Sequence, residues 1–159
     1  MKLIYQIFIL IGLLLVVALV AGFFTKKAGW QEFPIVVEPA LVDFGEVSMA
    51  KGTVETEFIV RNNSKTDISI NSLLTSCGCT AAKLVLEDGS ESPVFGMHDN
   101  PTDWSGKIGA GKTAKMKVSF DPNAHGSEAV GPFTRTVSIF FGEPVNQKME
   151  VKLKGTVIK

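Results

Sequence analysis

The sequence has no excess of positive or negative charge: it contains 16 basic and 16 acidic residues, and its formal net charge is zero. It lacks the basic face that binds the phosphates of a nucleic acid, and it lacks an acidic tail. We therefore expect no nucleic-acid partner. Removing the first 24 residues removes only Lys2 from the charged set and leaves 15 basic against 16 acidic residues, so charge identifies no other partner.

The N-terminal region lacks charge over residues 3–24, a run of 22 residues. A helix of this length spans about 33 Å, enough for a hydrocarbon core of about 30 Å. The run is too long for the apolar part of a cleaved signal peptide, about 7 to 15 residues, and Val20-Ala21-Gly22 is an imperfect cleavage site. Cys77 is the first cysteine, so no cysteine for lipid attachment follows the run. We predict an uncleaved, single-pass membrane anchor at 1–24.

After the anchor, a short linker at 25–33 is expected to lead into one domain. The domain would cover residues 34–159, an ordinary size for a single folded unit. Since a long C-terminal domain can be translocated regardless of flanking charge, the balance of Lys2 against Lys26 and Lys27 does not decide its orientation.

Helical periodicity is absent from the domain, and alternation of apolar and polar residues takes its place. Alternation with a period of two is typical of β-strands that have one buried face and one solvated face. The clearest examples lie within residues 56–60, 114–120, 137–141 and 149–157. About seven such strands, separated by turn residues, predict an all-β antiparallel sandwich.

Residues 86–111 lack this alternation and are rich in glycine, aspartate, serine and proline. Loops of this length in a compact domain are usually functional or disordered. The segment contains large apolar residues that a solvated loop does not need, namely Phe95, Met97, Trp104 and Ile108. We predict an ordered insertion that folds back on the sandwich.

Cysteine and histidine are scarce, with two of each, and both cysteines lie in Ser76-Cys77-Gly78-Cys79-Thr80. On an extended strand their side chains would point to the same face, with Cα atoms about 6.6 Å apart. That separation is near the upper limit for a disulfide, about 6.8 Å, so a disulfide requires a bend, which Gly78 permits. Alternatively, the two cysteines are small buried residues of a core strand, a common role for cysteine.

The same cysteines could instead be metal ligands together with residues from further along the chain. His98 and His125 are the only histidines, and Met97 precedes the first of them. Two thiolates with imidazole and thioether ligands suit copper(I), and zinc if the thioether is left out. The Cys-Gly-Cys spacing is shorter than the usual zinc signatures. Copper or zinc is therefore a candidate cofactor, and none is required by the sequence.

No catalytic set accompanies these residues. Neither an oxyanion-hole pattern nor an orienting residue is recognisable beside a cysteine nucleophile. Residues 106–113 match the letters of a phosphate-binding loop, but such a loop needs a buried strand before it and a helix after it. A polar loop precedes this segment and an alternating strand follows it. We predict that the protein is not an enzyme.

Several short motifs occur in a defined order along the domain: Asp43-Phe44-Gly45-Glu46-Val47, Ser76-Cys77-Gly78-Cys79-Thr80, Val118-Ser119-Phe120-Asp121 and Leu153-Lys154-Gly155-Thr156-Val157. In this order they resemble the bacterial family catalogued as Domain of Unknown Function fifteen-seventy-three. The resemblance covers residues 34–157 and implies an exported or anchored Ig-like sandwich, of the group that includes PapD-like and major-sperm-protein domains. It implies no activity. The sequence departs from the family at Ala110, where proline is usual before the glycine, which loosens one turn.

Three functions remain open at this point. The first is a non-enzymatic, membrane-anchored adaptor that binds a protein partner at a sheet edge or through the insertion. The second is a copper- or zinc-binding protein that uses Cys77, Cys79, His98, His125 and Met97. The third is a thiol–disulfide redox site at the two cysteines, which needs one exposed and reactive thiol.

Overall fold

The computed structural model of the protein describes Ile4, Gln6, residues 11–13 and residues 34–159. Most of the predicted anchor at 1–24 and the whole predicted linker at 25–33 lie outside these described residues. Within the part that is described, no helix combines the length and the apolar composition needed to cross a membrane.

The described domain consists almost entirely of β-strands, with one 3-10 turn at Met49–Lys51. Its strands are β1 (Ile35–Glu38), β2 (Leu41–Ser48), β3 (Val54–Asn62), β4 (Ile68–Thr75), β5 (Thr80–Val85), β6 (Gly106–Ile108), β7 (Thr113–Phe120), β8 (Gly131–Phe141) and β9 (Lys148–Ile158). The predicted all-β sandwich is confirmed, but residues 34–159 contain nine strands rather than about seven. Proline has no N–H for a strand ladder, and the chain divides into β1 and β2 at Pro39. β6 has only three residues and lies inside the predicted insertion.

The strands form a four-stranded sheet with the order β1-β3-β7-β5 and a five-stranded sheet with the order β2-β9-β8-β4-β6. Neighbouring strands are antiparallel except for β2 and β9, which are parallel. The prediction of a wholly antiparallel sandwich is therefore wrong at this pair. β1 and β2 are nearly continuous in sequence yet belong to different sheets, so this stretch of chain passes from one sheet to the other.

The core lies between the two sheets, and the strands alternate in burial as the sequence pattern predicted. Phe58 and Val60 of β3 and Met116 of β7 are fully buried, and Lys115 between the buried residues of β7 is exposed. A second, smaller cluster occupies one part of the sandwich and consists of Val47, Cys79, Phe120, Phe133 and Val157. One of the two cysteines is therefore part of a hydrophobic cluster.

Residues 86–111 pack against the outer edge of β5. The backbones of Ala82 and Phe95 exchange two hydrogen bonds, and the N–H of Ser92 donates to the carbonyl of Leu84. Phe95 is fully buried and meets the ring of Trp104 edge-on, with centroids 5.6 Å apart. The segment ends in β6, which pairs with β4 in the opposite sheet. The edge of β5 is thus covered by the chain itself.

An exposed ion pair also connects the segment to β5. Lys83 Nζ donates a hydrogen bond of 2.7 Å to Glu91 Oε2, and this bond holds the pKa of Glu91 below its ordinary value. Ion pairs exposed to solvent contribute little to stability. The burial of Phe95 is therefore the main attachment of the segment to the sandwich.

We expect Phe95→Ala to lower the free energy of unfolding by about 3–5 kcal/mol, because it removes a large side chain from the core and leaves a cavity. Val94→Ala is the matched control, since Val94 is 62% exposed and should change stability little. Urea denaturation of both variants measures the difference. Equal losses for the two variants would mean that Phe95 does not attach the segment.

Candidate functional site

The Cys-Gly-Cys motif forms the connection between β4 and β5, which belong to different sheets. Residues 76–79 form a bend and a turn, so the two cysteines do not lie on one extended strand. The N–H of Thr80 donates to the carbonyl of Cys77 over 3.1 Å. Thr75 Oγ1 lies 3.0 Å from Cys77 O and 2.9 Å from Thr80 O, so its hydroxyl also holds the turn.

The turn brings Cys77 and Cys79 together as a disulfide, with Cα atoms 5.3 Å apart. This separation lies within the usual range for disulfides, and it is shorter than an extended strand would give. No free cysteine remains in the chain, since these are its only two. The bend that the sequence required for a disulfide is therefore present.

Cys77 is the more accessible sulfur and has a histidine beside it. Its side chain is half-buried, and its Sγ lies 3.1 Å from His125 Nε2. His125 is exposed on the connection between β7 and β8, at residues 121–130. That connection is tied to its surroundings where the N–H of Asp121 donates to Cys79 O, and where Asn123 Nδ2 donates to Met49 O. One side of the disulfide is thus bordered by a polar, exposed loop.

Cys79 is buried, with 3% of its surface exposed, and its sulfur contacts a cation. Arg135 Nε donates a hydrogen bond of 3.0 Å to Cys79 Sγ. The guanidinium lies over the rings of Phe120 and Phe133, 5.9 and 5.7 Å from their centroids, and these rings stack on each other. A cation over aromatic faces is held by the negative charge of the ring surface. The arginine is therefore fixed beside the buried sulfur.

Arg135 was not among the residues predicted from the sequence. It lies on β8, the neighbour of β4, and it is 56 residues from Cys79. The two are brought together by the register in which Thr75 pairs with Val137, and by the bond from Thr136 N–H to Ser76 Oγ. The pairing register of β4 with β8 cannot be inferred from one sequence, so the contact between Arg135 and Cys79 could not be predicted. The nearest cation in sequence, Lys83, instead pairs with Glu91.

Of the five predicted metal ligands, three come together. The ligand atoms of Cys77, Cys79 and His125 lie within 4.8 Å of one another, and His98 is not part of this group. His98 and Met97 are exposed on the segment after Phe95, where Gly96 is fixed by hydrogen bonds with Thr75 and Asn100. The predicted ligand set that includes His98 is thus not assembled. A reduced cysteine pair with His125 would offer three ligands, which keeps metal binding as a prediction for that smaller set.

The arrangement has the features that thiol chemistry requires. One sulfur of the pair is accessible to a solvent-borne thiolate, and the other is buried next to a fixed positive charge. Cations beside a cysteine favour its thiolate form, which is the reactive form and also the form in which a sulfur leaves a disulfide. The disulfide therefore joins a half-buried sulfur next to His125 to a buried sulfur next to Arg135.

Comparison with known structures relates this fold to PapD-like domains. A PapD-like domain of human CEP192 is 14% identical, with a TM-score of 0.51, and the match covers 80% of this chain and 87% of that one. A protein of unknown function from Porphyromonas gingivalis W83 is 16% identical, with a TM-score of 0.54, and the match covers 77% of this chain and 46% of that one. The secreted serine protease VesC from Vibrio cholerae is 13% identical, with a TM-score of 0.50, over 80% of this chain and 24% of that one. At these identities the likeness is one of fold alone.

No curated protein matches the sequence. The family described as protein of unknown function (DUF1573) matches residues 35–91, a segment that begins at β1 and includes both cysteines. The resemblance drawn from the sequence motifs is confirmed over residues 35–91, which include the motifs at 43–47 and 76–80, whereas the motifs at 118–121 and 153–157 lie outside the matched segment.

Proposed function

We propose that Cys77 and Cys79 form a site for thiol–disulfide exchange. The observation that carries this proposal is the disulfide at the turn between the sheets, with His125 Nε2 3.1 Å from one sulfur and Arg135 Nε 3.0 Å from the other. A thiolate that reaches Cys77 can form a mixed disulfide there and release Cys79 as a thiolate. The turn holds the two sulfurs close enough for the reverse step.

A purely structural role for the disulfide is less well supported by its position. A disulfide stabilises mainly by restricting the unfolded chain, and the effect grows with the length of the closed loop. The two cysteines are separated by two positions, so the closed loop holds three residues. The chain-entropy treatment gives about 1.6 kcal/mol for such a loop, roughly half of the value for a loop of 15 residues. The turn is also held by hydrogen bonds that do not need the disulfide.

The proposed chemistry also supports a location outside the cytoplasm. Disulfides persist in oxidising compartments and are rare where glutathione and thioredoxin keep thiols reduced. The charge-free run at residues 3–24 is the basis for proposing that a single-pass anchor holds the domain at a membrane, facing the periplasm or the cell exterior.

Exchange is tested on the purified full-length chain in its oxidised form. We expect reduced glutathione to form a mixed disulfide under native conditions, and graded mixtures of reduced and oxidised glutathione to convert the protein reversibly between disulfide and dithiol. Mass spectrometry after acid quenching measures both species. Cys77→Ser with Cys79→Ser is the control that must show no adduct. A wild-type disulfide that reacts only after the protein unfolds would overturn the proposal.

The same preparation decides between exchange and metal binding. The reduced protein is incubated anaerobically with zinc or copper(I), and its metal content is compared with that of the double cysteine variant. Near-stoichiometric metal that depends on both cysteines and on His125, in a protein that exchanges no disulfide, would favour the metal site. Exchange without retained metal would favour the thiol site.

A second candidate is a non-enzymatic interaction module, and the edge strands favour it. β2 has eight residues and forms the end of the five-stranded sheet, with Leu41 45% exposed. The edge of β5 is covered by Glu91 to Phe95, whereas no strand of the described chain pairs with the outer side of β2. An uncovered edge presents unpaired backbone groups to which an extended segment can add as a further strand.

For this module we expect Leu41→Lys to reduce the recovery of a cross-linked partner from membranes at least severalfold, because charged side chains on an edge strand oppose strand addition. Leu74→Lys is the matched control: Leu74 is 39% exposed, but it lies on β4, an inner strand of the five-stranded sheet, where it pairs with Ser138 of β8. Quantitative mass spectrometry of cross-linked complexes measures recovery. Equal recovery with both variants, or recovery of this chain alone, would contradict binding at β2.

A further inference from the structure

We propose that exchange at this site has a fixed direction: an incoming thiolate attacks Cys77 Sγ, and Arg135 stabilises Cys79 as the thiolate that leaves. The inference rests on the exchange function proposed above and adds to it which sulfur is attacked and which residue determines this. The substrate class is a dithiol presented from solvent, in a small molecule or on an exposed protein segment.

Access distinguishes the two sulfurs. Cys77 is half-buried beside the exposed loop of His125, whereas Cys79 is 3% exposed within the cluster of Val47, Phe120 and Phe133. Exchange rates depend on which sulfur the thiolate can reach. A thiolate carries a full charge, and its entry into an apolar cluster would be costly, so Cys77 is the sulfur that it reaches.

The hydrogen bond from Arg135 identifies Cys79 as the sulfur that leaves. Arg135 Nε already donates to Cys79 Sγ in the disulfide form, and the side chain is held over two stacked rings, so little reorganisation is needed when the thiolate appears. A hydrogen bond between two charged groups is about twice as strong as one between neutral groups. A stabilised thiolate leaves faster.

The positive charge of Arg135 is not neutralised by another group in the described chain. Each salt bridge of residues 34–159 uses a lysine, and Arg135 is in none of them. Its other hydrogen bond goes to the neutral carbonyl of Thr134. The half-buried guanidinium is therefore free to balance an anion, and the sulfur of Cys79 is the atom beside it that can become one.

The substrate thiols and the protein disulfide are the only reactants in the exchange. The thiolate of the substrate forms a bond to Cys77 Sγ, the bond between the two cysteine sulfurs breaks, and its electron pair stays on Cys79 as the thiolate. A second thiol of the same substrate, as its thiolate, then attacks the substrate sulfur of the mixed disulfide and releases the Cys77 thiolate. The substrate dithiol is oxidised to a disulfide, and the protein disulfide is reduced to a dithiol.

The test uses the full-length oxidised chain with reduced glutathione as the probe. We expect peptide mapping by mass spectrometry to find the adduct on Cys77, and the rate of adduct formation to fall about tenfold in Arg135→Gln, the effect of removing one charge-assisted hydrogen bond. Arg135→Lys keeps the charge and should keep most of the rate. Arg61→Gln is the matched control, since Arg61 is the other arginine and is exposed on β3.

Thermal unfolding of each variant separates loss of the charge from loss of the fold, because Arg135 also packs on Phe120 and Phe133. An adduct on Cys79, an unchanged rate in folded Arg135→Gln, or an equal loss of rate in folded Arg135→Lys would overturn the inference while leaving exchange itself intact. A wild-type protein that forms no adduct would instead overturn the exchange function on which the inference rests.

Discussion

The site depends on one constraint, which is that the chain must pass from the five-stranded sheet to the four-stranded sheet within the four residues between β4 and β5. Residues 76–79 form a bend and a turn at this crossing and do not continue β4 as an extended strand. The hydroxyl of Thr75 and the N–H of Thr80 hold the resulting turn. Cys77 and Cys79 have only Gly78 between them, and the path of the backbone through this turn brings them within disulfide distance.

The same crossing explains why the two sulfurs have different surroundings. Cys79 directly precedes β5 and belongs to the small hydrophobic cluster, whereas Cys77 is half-buried and packs against that cluster from beside the exposed His125. The expectation that the cysteines could be buried core residues therefore fits Cys79 and does not fit Cys77. The cluster also positions the cation, since Phe120 and Phe133 form the surface on which Arg135 lies. Hydrophobic packing at this part of the sandwich thus determines where the positive charge of Arg135 lies relative to the sulfur of Cys79.

Local patterns in the sequence predicted much of the fold, and the parts they missed depend on contacts between distant residues. Alternation identified β3, β7, β8 and β9 because each has one buried face. It could not reveal β6, whose three residues are too few for a period, or the parallel pairing of β2 with β9, which depends on where the chain crosses between sheets. For the site, residue scarcity found Cys77, Cys79 and His125. It also proposed His98, which lies outside the group of Cys77, Cys79 and His125, and it gave no signal for Arg135, whose position beside Cys79 depends on the register of β8 with β4.

The two candidate functions are connected through packing. β2, whose outer edge is uncovered, carries Val47 into the cluster that contains Cys79, and Phe44 of the same strand packs against that cluster. A segment that added along β2 would therefore lie beside the strand whose inner face supports the buried sulfur. A change in the position of β2 would be transmitted to Cys79 and to the rings beneath Arg135 by direct contact, because closely packed interiors transmit strain. The proposed binding at the edge and the proposed exchange at the disulfide would therefore share the small cluster as their physical link.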